Sequence, residues 1–156
     1  METSKKLQNW NQAAEIQLIY KTKVQASERP YISSSKSVYQ LALQFWNPET
    51  IEFFEQFKIL LLNQSNKVLG MYEVSSGGIT GTSVDLRLIF AAALKTNAVS
   101  LIMIHNHPSG HVKPSEADRQ ITNKVREAGI IMDVKLLDHL IITPETYYSF
   151  VDEGVL

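Results

Sequence analysis

The chain has 156 residues, 44% of them hydrophobic and 20% charged, with seven Gly, five Pro and no Cys. That length suits one domain with a core that needs no covalent staples, and the lack of cysteine excludes disulfides, thiolate-ligated zinc and thiol nucleophiles. Fifteen basic residues against sixteen acidic ones leave a formal charge of -1, so no global field draws the chain to phosphate backbones or anionic membranes.

Residues 1 to about 14 are polar and aperiodic and are expected to be loosely attached. From Glu15 to Val24, Ile16, Leu18 and Tyr20 alternate with polar or mixed positions, which predicts a strand. Ala26 to Pro30 break it, and Ser33-Ser34-Ser35 supply the hydroxyls that start helices. Val38, Leu41, Ala42 and Phe45 then mark one face of a first helix, ended by Asn47-Pro48. Phe57 to Leu62 is almost continuously apolar and reads as a buried strand. The turn Asn63 to Asn66 leads to a hairpin partner over Lys67 to Val74, and Ser75-Ser76-Gly77-Gly78 to a loop. Leu86, Ile89, Phe90, Ala93 and Leu94 form a second helical stripe, followed by a short apolar strand from Val99 to Ile104.

After a Pro- and Gly-rich loop over 108–114, Ser115 opens a helix whose inner face carries Ile121, Val125 and Ala128, with Gly129 at the expected C-terminal cap. Val134 to Leu137 and His139 to Thr143 predict two further short strands, and Tyr147 to Phe150 a return against the body. Strands interleaved with helices predict a layered α/β domain with a mixed sheet. No apolar run approaches the roughly 18–20 residues that cross a bilayer, and no apolar segment of a secretory signal follows the N-terminus. A cytoplasmic location is the expectation.

Chemistry concentrates in His105-Asn106-His107-Pro108-Ser109-Gly110 and Ser115-Glu116-Ala117-Asp118. Two His at i and i+2 on a strand end point to the same side of the backbone, so both imidazoles can reach one point. Pro108 and Gly110 turn the chain, and a loop of that length can bring Asp118, on the first turn of a helix, beside them. Two nitrogens and one carboxylate oxygen leave a tetrahedral position open, as in catalytic zinc sites, whereas structural sites are closed by four protein ligands. Ser115-x-x-Asp118 also matches a capping box, and a ligand can sit on a helix started that way.

His105-x-His107, seven residues, then Ser115-x-x-Asp118 resembles the JAMM signature of JAB/MPN-domain zinc metalloproteases. The surrounding residues are similar to the RadC-type branch. They are His105 to Gly110, Lys113-Pro114-Ser115, Leu137-Asp138-His139-Leu140-Ile141-Ile142, Glu73 to Gly78 and Leu88 to Leu94. The likeness covers roughly residues 34–156, and the expected division is an N-terminal extension over 1–31, with its strand, ahead of a JAB/MPN domain over 32–156.

The resemblance implies a cytidine-deaminase-like α/β fold, one zinc ion on His105, His107 and Asp118, and Ser115 as a hydrogen-bond donor to the oxyanion formed when water attacks a carbonyl. It also implies an upstream Glu as general base. Glu55, at the mouth of the buried strand, matches that position, with Glu52 and Glu73 as alternatives. His111 stands where the branch more usually has a small or acidic residue and is read as a loop His facing solvent. His139 is read as a hydrogen-bonded structural His rather than a fourth ligand.

The function expected is hydrolysis of a peptide or isopeptide bond. The alternative is a DNA repair or recombination role, the label the RadC-type branch often carries. Longer members have a helix-hairpin-helix-like region ahead of the domain, and about thirty residues without a Gly-rich hairpin stand here in its place. Lys5, Lys6, Lys21, Lys23 and Arg29 against Glu2, Glu15 and Glu28 are a mild basic excess, far from a basic arm. A non-catalytic scaffold ranks lowest, because such members generally lack the ligand set. A homodimer would draw on Trp46 and apolar residues near the first helix.

Overall fold

A computed structural model describes residues 13–17, 19–78 and 82–156. A five-stranded mixed sheet lies between helices. The elements in chain order are α1 (Ser35–Leu43), β1 (Gln56–Leu62), β2 (Val68–Ser76), α2 (Leu86–Lys95), β3 (Ser100–Asn106), α3 (Glu116–Met132), β4 (Lys135–Ile142) and β5 (Tyr147–Ser149). The strand order is β2-β1-β3-β4-β5. All pairings are antiparallel except β3 with β4, and α3 supplies the crossover that a parallel pair requires.

Strand periodicity sorts the core into two layers. Phe57, Ile59 and Leu61 of β1 face α2 and α3 together with Leu101 and Met103 of β3. Leu60, Leu62, Ile102 and Ile104 face α1, packing on Val38, Ala42 and Trp46. Every residue of β3 is buried, as expected for a central strand covered on both faces. Its apolar run therefore has no solvent-facing positions, and the polar residues at its end are placed by force of the fold.

Several local expectations change in three dimensions. The described residues of the stretch Glu15–Val24 form no strand, and Leu18 lies outside the described residues. Ile16 and Ile19 are 83% and 51% exposed, so the alternation there has no sheet face to bury. The N-terminal segment instead touches the sheet at Tyr31, which bridges Lys67. Of the polar stretch 1–14, only Ala13 and Ala14 are described. The first helix ends at Leu43, leaving Phe45 beyond it and exposed.

The third helix runs three residues past Gly129 and ends where Asp133 adopts a left-handed conformation (φ 54°). Gly129 serves close approach instead, for a Cβ there would lie 2.3 Å from the carbonyl oxygen of Val134. The two strands expected over Val134–Thr143 are one, β4, because the ladder with β3 continues across a register shift that leaves Asp138 paired with Ile102. Trp46, expected at a surface for a second copy, is 3% exposed; its indole Nε1 donates to Asn106 Oδ1 and its ring lies under the Lys58 ammonium. Among the described residues, no helix is long and apolar enough to cross a membrane.

Candidate metal centre

β3 ends in the sequence His105-Asn106, and His107 follows directly. Alternation sends the two imidazoles to the side of α3 and Asn106 to the side of α1. His105 is fully buried, stacked on Phe57 of the neighbouring strand at 5.6 Å between ring centres. His107 leaves the sheet with its backbone N–H still donating to Ile142 O, and its Nδ1–H donates to the carbonyl of His111 at 2.7 Å. In the neutral ring that leaves Nε2 with its lone pair, the state a metal ligand needs. His111 itself is exposed, as expected, and contributes a backbone acceptor.

Gly110 takes φ 83° in the loop that carries the chain to α3. Ser115 caps that helix: its Oγ accepts from Asp118 N, and Asp118 Oδ2 accepts from Ser115 N at 2.8 Å. The capping box thus sets the carboxylate rather than competing with its use. Asp118 Oδ1 lies 3.1 Å from His105 Nε2, and Oδ2 lies 3.4 Å from His107 Nε2. The two Nε2 atoms are 3.0 Å apart.

One ligand atom from each of His105, His107 and Asp118 falls within 4.8 Å of the others. Ligands held tetrahedrally at about 2.0–2.1 Å from zinc are separated by about 3.3 Å, close to the 3.0 Å between the two Nε2 atoms and to the 3.1 and 3.4 Å from each of them to one or other Asp118 oxygen. The donor set therefore fits a metal ion of this kind, and it borders a cleft. That cleft, of about 560 Å³, is lined by Glu55, Phe57, His107, Ser115 and Asp118 among others.

The charges respond to this crowding. Burial alone would raise the Asp118 carboxyl, but the close approach of the His105 and His107 rings, with the Ser115 N–H, outweighs it and holds the group well below the usual carboxylate range. Burial alone would lower His107, yet the Asp118 carboxylate, the His111 carbonyl and the charge of Glu55 raise it. Burial holds the fully enclosed His139 well below the ordinary imidazole range. Glu55 is raised, chiefly by burial, opposed by its proximity to the His105 and His107 rings.

The three acidic alternatives separate cleanly. Glu55 is half-buried in the cleft, with its backbone clamped by the loop after β2: its N–H donates to Gly78 O and its carbonyl accepts from Gly77 N. Gly77 and Gly78 reach that position with φ of 115° and 84°, which side-chain-bearing residues rarely adopt. Glu52 is exposed in the preceding turn. Glu73 pairs opposite Lys58 on the α1 side of the sheet, where it accepts from Gln56 Nε2 at 2.6 Å.

Two residues around the cluster had no assigned part in the sequence reading. Asn106 is fully buried, with Oδ1 accepting from Trp46 Nε1 and Gln56 N, and Nδ2 donating to Ile51 O and Phe54 O. It pins the segment that leads into Glu55. Thr122, one turn beyond Asp118, lies against His139, whose other ring nitrogen meets His105. The available signals were a polar residue between the two His of a central strand and a hydroxyl at i+4 from an acidic ligand.

Comparison with known proteins agrees with this geometry. Residues 32–155 match the model of the RadC-like JAB domain. A UPF0758 protein of Flavobacterium johnsoniae is 58% identical over 101 residues, 65% of this chain and 44% of its own length. Another, of Porphyromonas gingivalis, is 48% identical over 103 residues, 65% of this chain and 45% of its own length. The chain spans under half the length of the curated relatives it matches. With residues 32–155 matched and His105, His107 and Asp118 gathered where β3 meets the start of α3, this chain belongs to the RadC-like JAB domain family.

Proposed function

We propose that this chain is a zinc-dependent hydrolase of amide bonds, acting on a peptide or isopeptide. The observation that carries the reading is the convergence of His105, His107 and Asp118 beside a cleft that also holds Glu55 and Ser115. Zinc on the three ligands supplies Lewis acidity, acidifying water and polarising a carbonyl oxygen.

Glu55 takes the proton from the attacking water and returns it to the leaving amine. Its burial favours the neutral acid, which suits a group that must both accept and give up a proton. Ser115 Oγ accepts from Asp118 N, so its own O–H is free to donate to the oxyanion, an interaction often worth about 3 kcal/mol. Phe57 and Ile121 give the cleft apolar walls that limit competing water.

Metal analysis by mass spectrometry, paired with cleavage of a library of peptides and lysine-linked isopeptides, tests the reading. The unaltered chain is expected to hold about one zinc, removable by chelator, and His107→Ala to hold none while remaining folded. Glu55→Gln should keep the zinc and lose about 10²- to 10⁴-fold in rate. Because Glu55 must be ionised to act as base and burial raises its pKa, activity should rise with pH through a value above that of an exposed Glu. Unchanged metal content in His107→Ala, or a zinc-loaded chain that leaves the whole library intact, would overturn the proposal.

A further inference from the structure

His139 stands at the centre of a hydrogen-bonded chain whose polarity is forced from one end. Thr122 Oγ1 lies 2.6 Å from the main-chain carbonyl oxygen of Asp118. Two oxygens at that distance share a hydrogen, and a carbonyl has none, so the hydroxyl donates. His139 Nδ1 lies 2.7 Å from the same hydroxyl oxygen, whose only hydrogen is already committed, so Nδ1 must carry the proton of that contact.

His139 is fully buried, stacked on Phe150 at 4.7 Å, and no carboxylate bonds to its ring among the described residues. In the neutral ring a proton on Nδ1 leaves Nε2 as an acceptor. His105 Nδ1, 2.8 Å away, must then donate to it. The consequence reaches the cluster. A neutral His105 with its proton on Nδ1 turns an unprotonated Nε2 towards His107 and Asp118.

We infer that Thr122 and His139 are positioning residues that hold His105 in its metal-binding tautomer, through a one-way chain from the His105 ring to the backbone of Asp118. The chain begins on one ligand and ends on another, so it ties the orientation of the His105 ring to the start of α3. A ligand histidine whose second nitrogen donates to an outer partner is a recurrent device at metal sites. Here the partner is a second imidazole, which has no fixed polarity of its own, and Thr122 is what gives it one. The inference rests on the three residues holding zinc, and its test reads His139, which is not one of them.

Thr122→Val keeps the volume and removes the acceptor of His139 Nδ1–H. His139 is then expected to move its proton to Nε2, where it opposes the His105 Nδ1–H and favours the His105 tautomer that cannot bind metal. Thr122→Ser keeps the hydroxyl. Nitrogen-15 NMR of the imidazoles should show His139 protonated on Nδ1 in the unaltered chain and in Thr122→Ser, and on Nε2 in Thr122→Val. Competition with a chromophoric chelator should show zinc binding weakened about 10- to 100-fold in Thr122→Val and within about threefold of the unaltered chain in Thr122→Ser.

His139→Gln, which can accept from His105 and donate to Thr122, should bind zinc more tightly than His139→Phe, which preserves only the stacking. A His139 protonated on Nε2 in the unaltered chain, or full zinc affinity in folded Thr122→Val, would overturn the inference. Those results leave zinc loss in His107→Ala untouched, whereas failure of the metal reading leaves the His139 tautomer as stated.

Discussion

Asn106 shows how much one buried amide can carry. Both hydrogens and both lone pairs are used, each on a different residue, and four of those partners lie in the chain between Trp46 and Gln56. The same residue sits between His105 and His107, so the strand that aims the ligands to one face anchors the approach to Glu55 on the other. Asn106→Ala leaves two N–H groups and two carbonyls unpaired and should cost about 3–5 kcal/mol in urea unfolding. At temperatures where the variant is folded it should still take up zinc and yet lose the proposed hydrolysis, because the candidate ligands stay and the Glu55 segment does not. Stability like that of the unaltered chain would contradict this account. The residue was in plain view in the sequence. Its partners were not, since hydrogen bonds to Trp46 and Ile51 span 60 and 55 positions.

At the scale of elements, α3 and β4 are set by an approach that only glycine permits. Alanine is ordinarily preferred to glycine inside a helix by up to about 1 kcal/mol. At position 129 the added methyl would meet the Val134 carbonyl at 2.3 Å, a backbone atom that cannot swing away. The steric cost should win, with Gly129→Ala losing about 1–3 kcal/mol and, for a chain of this size, about 3–10 °C in thermal midpoint. A midpoint at or above the original would show that the α3–β4 junction yields.

Helix periodicity made α2 and α3 legible, and continuous hydrophobicity did the same for β1 and β3. The same signals misplaced the end of α3, because Gly129 reads as a cap whether its missing side chain serves a turn or a contact. They also gave a strand over Glu15–Val24, since alternation records which side chains share a face and not whether any sheet lies beneath it.

For the molecule as a whole, the candidate centre joins β3 to α3 across a loop and is supported from β4 by His139. A cation held there ties together segments that the unfolded chain leaves apart. Zinc at a hundredfold excess over its Kd should therefore stabilise the fold by about 2.7 kcal/mol, seen as a rise of about 5–10 °C in thermal midpoint. The rise should vanish in His107→Ala and on chelation, and a midpoint indifferent to zinc would argue against a site that closes only on folding.

The candidate ligand trio, the helix that bears Asp118 and the alternating layers were all legible in local order, because two-residue and helical periodicities say which side chains point together. Tertiary structure alone placed Glu55, rather than Glu52 or Glu73, in the cleft beside the cluster, enclosed Trp46, and set His139 and Thr122 behind His105. Each of those outcomes depends on which face of the sheet meets which helix, and that is settled by packing between segments far apart in the chain.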